Sequence, residues 1–265
     1  MSIIQGTAKA SGDDSFFPFE ISSSLRFDGS SYLSRNMNGF STTTYTLSMW
    51  IKRSKLGAIK IMGKADNPYV WHEFKSSDKY GITDSGSGIP SSVYYESNNV
   101  LRDTSAWYHF VTVYNISSSL DVKFYINGTL ASTSSLSGVY GNGSRLAGNY
   151  DTYIGRDRSA GVSGQNFEGY MAEINFLDGY VPTTSNGGID SSGNLQVLGE
   201  TKNGVWIPKN PSGLTYGTNG FRLSFALSDF NTSGSAVTDP HGSSTNVPDG
   251  YVADASGSGN HWNVN

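Results

Sequence analysis

Residues 153–180 read Tyr-Ile-Gly-Arg-Asp-Arg, then a polar Gly/Ser loop, then Phe167-Glu-Gly-Tyr-Met-Ala-Glu-Ile-Asn-Phe-Leu-Asp-Gly-Tyr180. The second half alternates: Tyr170, Ala172, Ile174 and Phe176 fall on one side, Met171, Glu173, Asn175 and Leu177 on the other. A period of two closed by Asp178-Gly179 predicts a strand ending in a turn. Gly169 stands at its start, where a missing side chain lets another backbone come close. Both faces carry apolar residues, so the strand is expected inside a layered structure.

Working outward, the same period recurs. Tyr45-Thr-Leu-Ser-Met-Trp-Ile-Lys52 places Tyr45, Leu47, Met49 and Ile51 on one face and Thr46, Ser48, Trp50 and Lys52 on the other. Residues 25–27, 107–114 and 122–126 read as further strands, and Asn127-Gly128 is a strong hairpin signal. The stretch 57–88 is less regular, with short apolar pieces broken by Gly63, Asn67-Pro68 and Asp78. From Pro182 the sequence becomes loop-like, interrupted by Gly204-Val-Trp-Ile-Pro208 and Tyr216-Gly-Thr-Asn-Gly-Phe-Arg-Leu-Ser-Phe225. At the start, Phe16, Phe17 and Phe19 form an apolar arm that must dock on its own domain or on a neighbouring subunit.

Composition narrows the class. The 265 residues carry 15% charge and 36% hydrophobic residues, with Gly 32, Tyr 16 and Phe 13, a balance that favours strands and turns over helices. A formal net charge of -4 argues against nucleic acid or an anionic membrane as the main partner. Cysteine is absent, which removes disulfides, thiolate chemistry and Cys-based zinc sites. No apolar run approaches the ~20 residues of a membrane helix, and no secretion signal is read at the N-terminus.

Six pieces in order resemble the laminin-G/concanavalin-A-like jelly-roll family over roughly residues 25–181. They are Leu25-Arg-Phe-Asp-Gly, Leu47-Ser-Met-Trp-Ile, Trp107-Tyr-His-Phe-Val, Phe124-Tyr-Ile-Asn-Gly, Tyr153-Ile-Gly and Phe167-Glu-Gly-Tyr-Met-Ala-Glu. The resemblance implies an all-β, two-sheet antiparallel sandwich. Asp254-Ala-Ser-Gly-Ser-Gly-Asn-His261 resembles a motif that comes first in that family and here comes last, so a circularly permuted jelly roll or a truncated second repeat is expected. The division is then an arm (1–24), a sandwich (25–181) and a loop-rich segment (182–265) lending the sandwich a strand near residues 221–225.

Phe17-Pro-Phe-Glu-Ile21, Phe176-Leu-Asp-Gly179, Gly204-Val-Trp-Ile-Pro-Lys209 and Tyr216-Gly-Thr-Asn-Gly-Phe221 further resemble laminin-G-like virion proteins of tailed bacteriophages. That implies a non-enzymatic tail fibre or capsid decoration, assembled in the host cytoplasm with other virion proteins. A homo-oligomer, a trimer foremost, and weak binding of host-surface polysaccharide are the accompanying expectations. A stand-alone lectin module and a diverged glycoside hydrolase are the alternatives.

For hydrolysis the two carboxylates Glu168 and Glu173 share one strand, but their odd spacing separates them unless a bulge intervenes. His109 reads as a core histidine. Calcium, the cofactor the resemblance implies, would draw on Asp66, Asp151 and Asp157 in loops, since a hard cation takes oxygen ligands. For a sugar, whose apolar face suits an aromatic ring, the candidates are Trp71, Tyr94 and Tyr95 with Asn67 beside them. Trp50 and Lys52 form a second aromatic candidate; packing against a sheet or a subunit is the competing reading for all of these.

Overall fold

The computed structural model describes residues 17–37, 43–64, 69–85, 93–116, 121–134, 146, 151–157 and 164–265. Two antiparallel sheets stack face to face, and a single 3-10 turn (Leu227–Asp229) is the helical content of the described residues. One sheet holds β1 (Leu25–Asp28), β3 (Thr44–Arg53), β8 (Tyr108–Asn115), β9 (Asp121–Ile126), β10 (Thr129–Leu130), β12 (Glu168–Asp178) and β15 (Phe221–Leu223). The other holds β2 (Leu33–Asn36), β4 (Ile59–Lys64), β5 (Tyr69–Phe74), β6 (Lys79–Ser85), β7 (Val93–Val100), β11 (Asp151–Ile154), β16 (Phe230–Asn231), β17 (Tyr251–Val252) and β18 (Trp262–Val264). A separate hairpin joins β13 (Gly199–Lys202) to β14 (Val205–Pro208).

Between the sheets the inward residues of β3, namely Tyr45, Leu47, Met49 and Ile51, meet Val70, Phe74, Tyr80 and Ile82 in one core. Tyr45 stacks on Tyr114 and on Phe176, each at 5.0 Å between ring centroids. The histidine in this core is paired, as burial favours. His72 meets the Tyr45 hydroxyl at Nε2 (3.0 Å) and the Tyr80 hydroxyl at Nδ1 (3.4 Å). Burial holds the His72 imidazole neutral by pushing its pKa down to about 3.

The strict alternation expected for residues 170–177 is corrected. The register of β12 against β3 shifts between Ala172 and Asn175, and Glu173 has φ 44. One extra residue in a strand turns every later side chain to the other face. Met171, Ile174 and Phe176 therefore point into the core, while Tyr170, Ala172, Asn175 and Leu177 point out. The bulge also divides the neighbouring edge: β1 pairs with residues 168–171, and β15, from the other end of the chain, with residues 174–176. Arg222 on β15 holds the bulged Glu173 with two bonds, Nε to Oε2 at 2.9 Å and Nη2 to Oε1 at 2.7 Å. Gly169, at φ +145, leaves room for the Lys52 carbonyl, which a Cβ would meet at 2.2 Å.

The Asp254–His261 loop acts as a clasp. The buried Asp254 carboxylate accepts from the amides of Arg222, Ser256 and Asn260 and from the Ser256 hydroxyl. Asn260 Nδ2 donates to the carbonyls of Thr218 and Gly220. The loop thereby ties β15 to β18, which pairs with β2.

Candidate functional site

The outer face of the seven-stranded sheet is divided in two. Over one part, residues 180–216 fold back as a third layer. Val111, Val113, Tyr125 and Leu177 on the sheet pack against Leu195, Val197, Leu198 and Tyr216 of that layer, a second apolar core. Each such side chain contributes about 1.5–3 kcal/mol when fully buried. Hydrogen bonds fix the position: Tyr216 donates to Asn175 Oδ1 (2.6 Å), Thr46 to the Tyr180 carbonyl (2.7 Å) and the Leu195 amide to the Gly128 carbonyl (2.9 Å). Gly128, at φ +77, lies under the Trp206 ring, where a Cβ would meet Cζ3 at 2.2 Å.

His109 stands at the boundary. Trp206 Nε1 can only donate, and it lies 3.0 Å from His109 Nδ1, so that nitrogen is the acceptor. The proton then sits on Nε2, which donates to Ser48 Oγ at 2.8 Å. Burial pushes the His109 pKa down to about 3, keeping the ring neutral. The core-histidine reading holds.

Beyond His109 the sheet face opens. Trp50 lies with one ring face stacked on His109, 4.7 Å between centroids and 14° between planes. In the next row Arg26, Tyr170 and Lys52 are register neighbours across β1, β12 and β3. The Trp107 ring approaches that of Tyr170 at 6.5 Å. Trp50, Lys52, Trp107 and Tyr170 are half-buried and Arg26 is exposed. Asp103 borders the patch: the Ser105 hydroxyl and amide hold its carboxyl below the usual range, with a small contribution from Lys52. The result is an aromatic platform with two cations in its first row. Alternation pointed to Trp50 and Lys52, and Tyr170 was legible as a face neighbour of Ala172; Trp107, in the expected strand 107–114 and in period with His109, lies just before β8.

The other aromatic candidates do not form one site. Trp71 is 2% exposed, lying beside Gly63 so closely that a Cβ there would meet its ring at 2.5 Å, and it offers no ring face to a ligand. Tyr95 points inward, packing on Phe124 at 5.3 Å with its hydroxyl bonded to Thr133 at 2.6 Å. Tyr94 points outward, 48% exposed, because successive residues of a strand face opposite ways. Asn67 and Asp66 lie outside the described residues.

Asp151 and Asp157 do not share a cation site either. They lie toward opposite ends of β11, Asp151 exposed and accepting from Asn36 Nδ2 (3.4 Å), Asp157 buried, its amide donating to Asn166 Oδ1 (2.9 Å). Among the described residues no three His, Cys, Asp or Glu side chains converge as metal ligands, whereas calcium takes 6–8 oxygens. Of the arm, Phe16 lies outside the described residues, Phe17 is 39% exposed, and Phe19 lies half-buried with the Arg222 guanidinium 5.9 Å from its ring centre.

The carboxylates Glu168 and Glu173 are each engaged by their own cation, Lys55 at 2.9 Å and Arg222 at 2.7 Å. A cavity of about 270 Å³ sits among Ser228, Asp229, Phe230, Asn231, Val237 and Val247. Its Asp229 carboxylate is already bonded by Ser224, Ser228 and His241, and the Asn231 amide by Ser235 and Val247, so its polar groups serve the fold.

Comparison with known proteins agrees with this architecture. No curated protein matches the sequence. Among solved structures, a putative carbohydrate binding protein from Bacteroides ovatus aligns with a TM-score of 0.52 at 16% identity, covering 91% of this chain and 58% of that one. A heptameric SAP-like pentraxin from Limulus polyphemus aligns with a TM-score of 0.45 at 17% identity, over 63% of this chain and 81% of that one. The family described as the concanavalin A-like lectin/glucanases superfamily, a laminin G type, matches residues 27–183. The chain belongs to the concanavalin A-like lectin/glucanases superfamily.

Proposed function

We propose that the protein is a non-catalytic carbohydrate-binding sandwich whose ligand lies across Trp50, Trp107 and Tyr170. The observation that carries this reading is the half-buried aromatic row left open beyond the cap, with polar and charged side chains at its edge. Rings can cover the apolar face of a sugar while polar groups at the edge, Asp103 among them, meet its hydroxyls. The engagement of Glu168 and Glu173 by separate cations supports the non-catalytic part. The Bacteroides ovatus protein, putatively a carbohydrate binder, is in keeping with it. A glycan array followed by calorimetric titration tests the reading. Binding that is lost in Trp107→Ala and Tyr170→Ala, with unfolding temperature retained, is expected; binding indifferent to both rejects the platform.

A repeated virion component, tail fibre or capsid decoration, is the setting the sequence motifs favour. Many copies would multiply a weak affinity, by 10²–10⁴-fold or so where geometry allows simultaneous engagement. The exposed Phe17 supports a symmetric assembly, a trimer foremost, with the arm reaching a neighbour. Light scattering that finds a monomer at high concentration rejects that assembly.

A further inference from the structure

We propose that the platform selects an anionic sugar, whose carboxylate or sulfate lies over Tyr170 between Lys52 and Arg26. This rests on the glycan-binding reading above and adds the ligand class. Many described cations are already committed: Arg53 and Arg102 to Asp78, Lys60 and Lys75 to Glu73, Arg222 to Glu173. The side chains of Arg26 and Lys52 make no hydrogen bond or close ion pair among the described residues; Asp103, at the edge of the patch, acts on Lys52 only through a small electrostatic contribution. They stand one strand to either side of Tyr170 and on the same face.

With strands about 4.8 Å apart, the two backbones are about 10 Å from each other, a span that both long side chains can close from opposite sides. The anion between them would take a forked pair of bonds from the guanidinium and a point charge from the ammonium. The sugar ring attached to it then falls on Tyr170 and Trp107, whose rings are 6.5 Å apart. A neutral sugar gains the rings and leaves both cations in water. Nucleic acid is a poor alternative, because backbone recognition needs a longer run of cations and the chain carries a net charge of -4.

The test is titration of the full chain with three trisaccharides: a galacturonate trimer, a neutral galactose trimer and a sulfated galactose trimer. The carboxylated or the sulfated probe, or both, binds more tightly than the neutral one, and added salt closes the gap because the cations are near the surface. Arg26→Ala and Lys52→Ala each lower affinity for the anionic probe by about 2- to 5-fold and leave the neutral probe unchanged. Preference for the carboxylated probe over the sulfated one, or the reverse, identifies the anion. Equal binding of all three, or variants that leave the anionic-to-neutral ratio intact, overturns the charge selection while the glycan reading stands. Absence of binding to any of the three, and to a wider array, overturns both.

Discussion

The two ends of one sheet face behave differently. At the capped end, Val111, Val113, Tyr125 and Leu177 are sealed under residues 180–216. At the open end, Trp50, Lys52, Trp107 and Tyr170 keep part of their surface in water. Both ends come from the same strands with the same period, so alternation decides which way a side chain points and not what meets it there. The cap stops at His109, whose two nitrogens are taken by Ser48 and Trp206. An apolar end that requires a cover and an aromatic, charged end that does not divide the face in two.

Acid gives the largest expected effect and separates that boundary from the sandwich interior. His72 and His109 are held neutral by burial down to a pKa of about 3, while the unfolded chain takes up protons near pH 6.5. The unfolded state therefore binds more protons between those values, and stability falls as pH falls through that window. Each histidine removes about 1.4 kcal/mol per pH unit there. Urea unfolding at a series of pH values should show the slope, and His109→Gln should remove its own share while leaving that of His72. An unchanged slope in that variant would mean that His109 is not sealed.

Leu177→Ala comes next, with an expected loss of about 2–5 kcal/mol from the cap interface; a loss under 1 kcal/mol would show that residues 180–216 pack loosely. Arg222→Ala leaves the bulged Glu173 carboxylate buried without its cation, at a cost of about 3 kcal/mol. Thermal unfolding of that variant checks whether the bulge depends on the pair. At the open end Lys52→Ala should move stability by no more than about 0.5 kcal/mol while weakening the anionic ligand. A large loss of stability there would make Lys52 part of the packing and erase the contrast between the ends.

Much of the fold was legible in the sequence, since strict alternation in residues 45–52 and the Asn127-Gly128 turn leave little choice of secondary structure. Residues 170–177 were legible as a strand but not in orientation. Nothing in Ala-Glu-Ile marks Glu173 as the extra residue, and the partner of its carboxylate, Arg222, comes 49 residues later. The candidate site was half legible. Trp50 and Lys52 follow from the period, and Tyr170 from the strand. Trp71 shows the limit: it points outward like Trp50, yet only Trp50 keeps an accessible edge. Outward direction is local information, whereas cover comes from distant chain.

Chemical-shift mapping of the labelled protein against a bound oligosaccharide addresses the central claim most directly. The account predicts that perturbations cluster at Trp50, Lys52, Trp107 and Tyr170, with Arg26 joining them for an anionic sugar, and that Thr83, Tyr94 and Tyr153 on the opposite sheet stay unmoved. Perturbations centred on Thr83, Tyr94 and Tyr153 with a silent platform would contradict it.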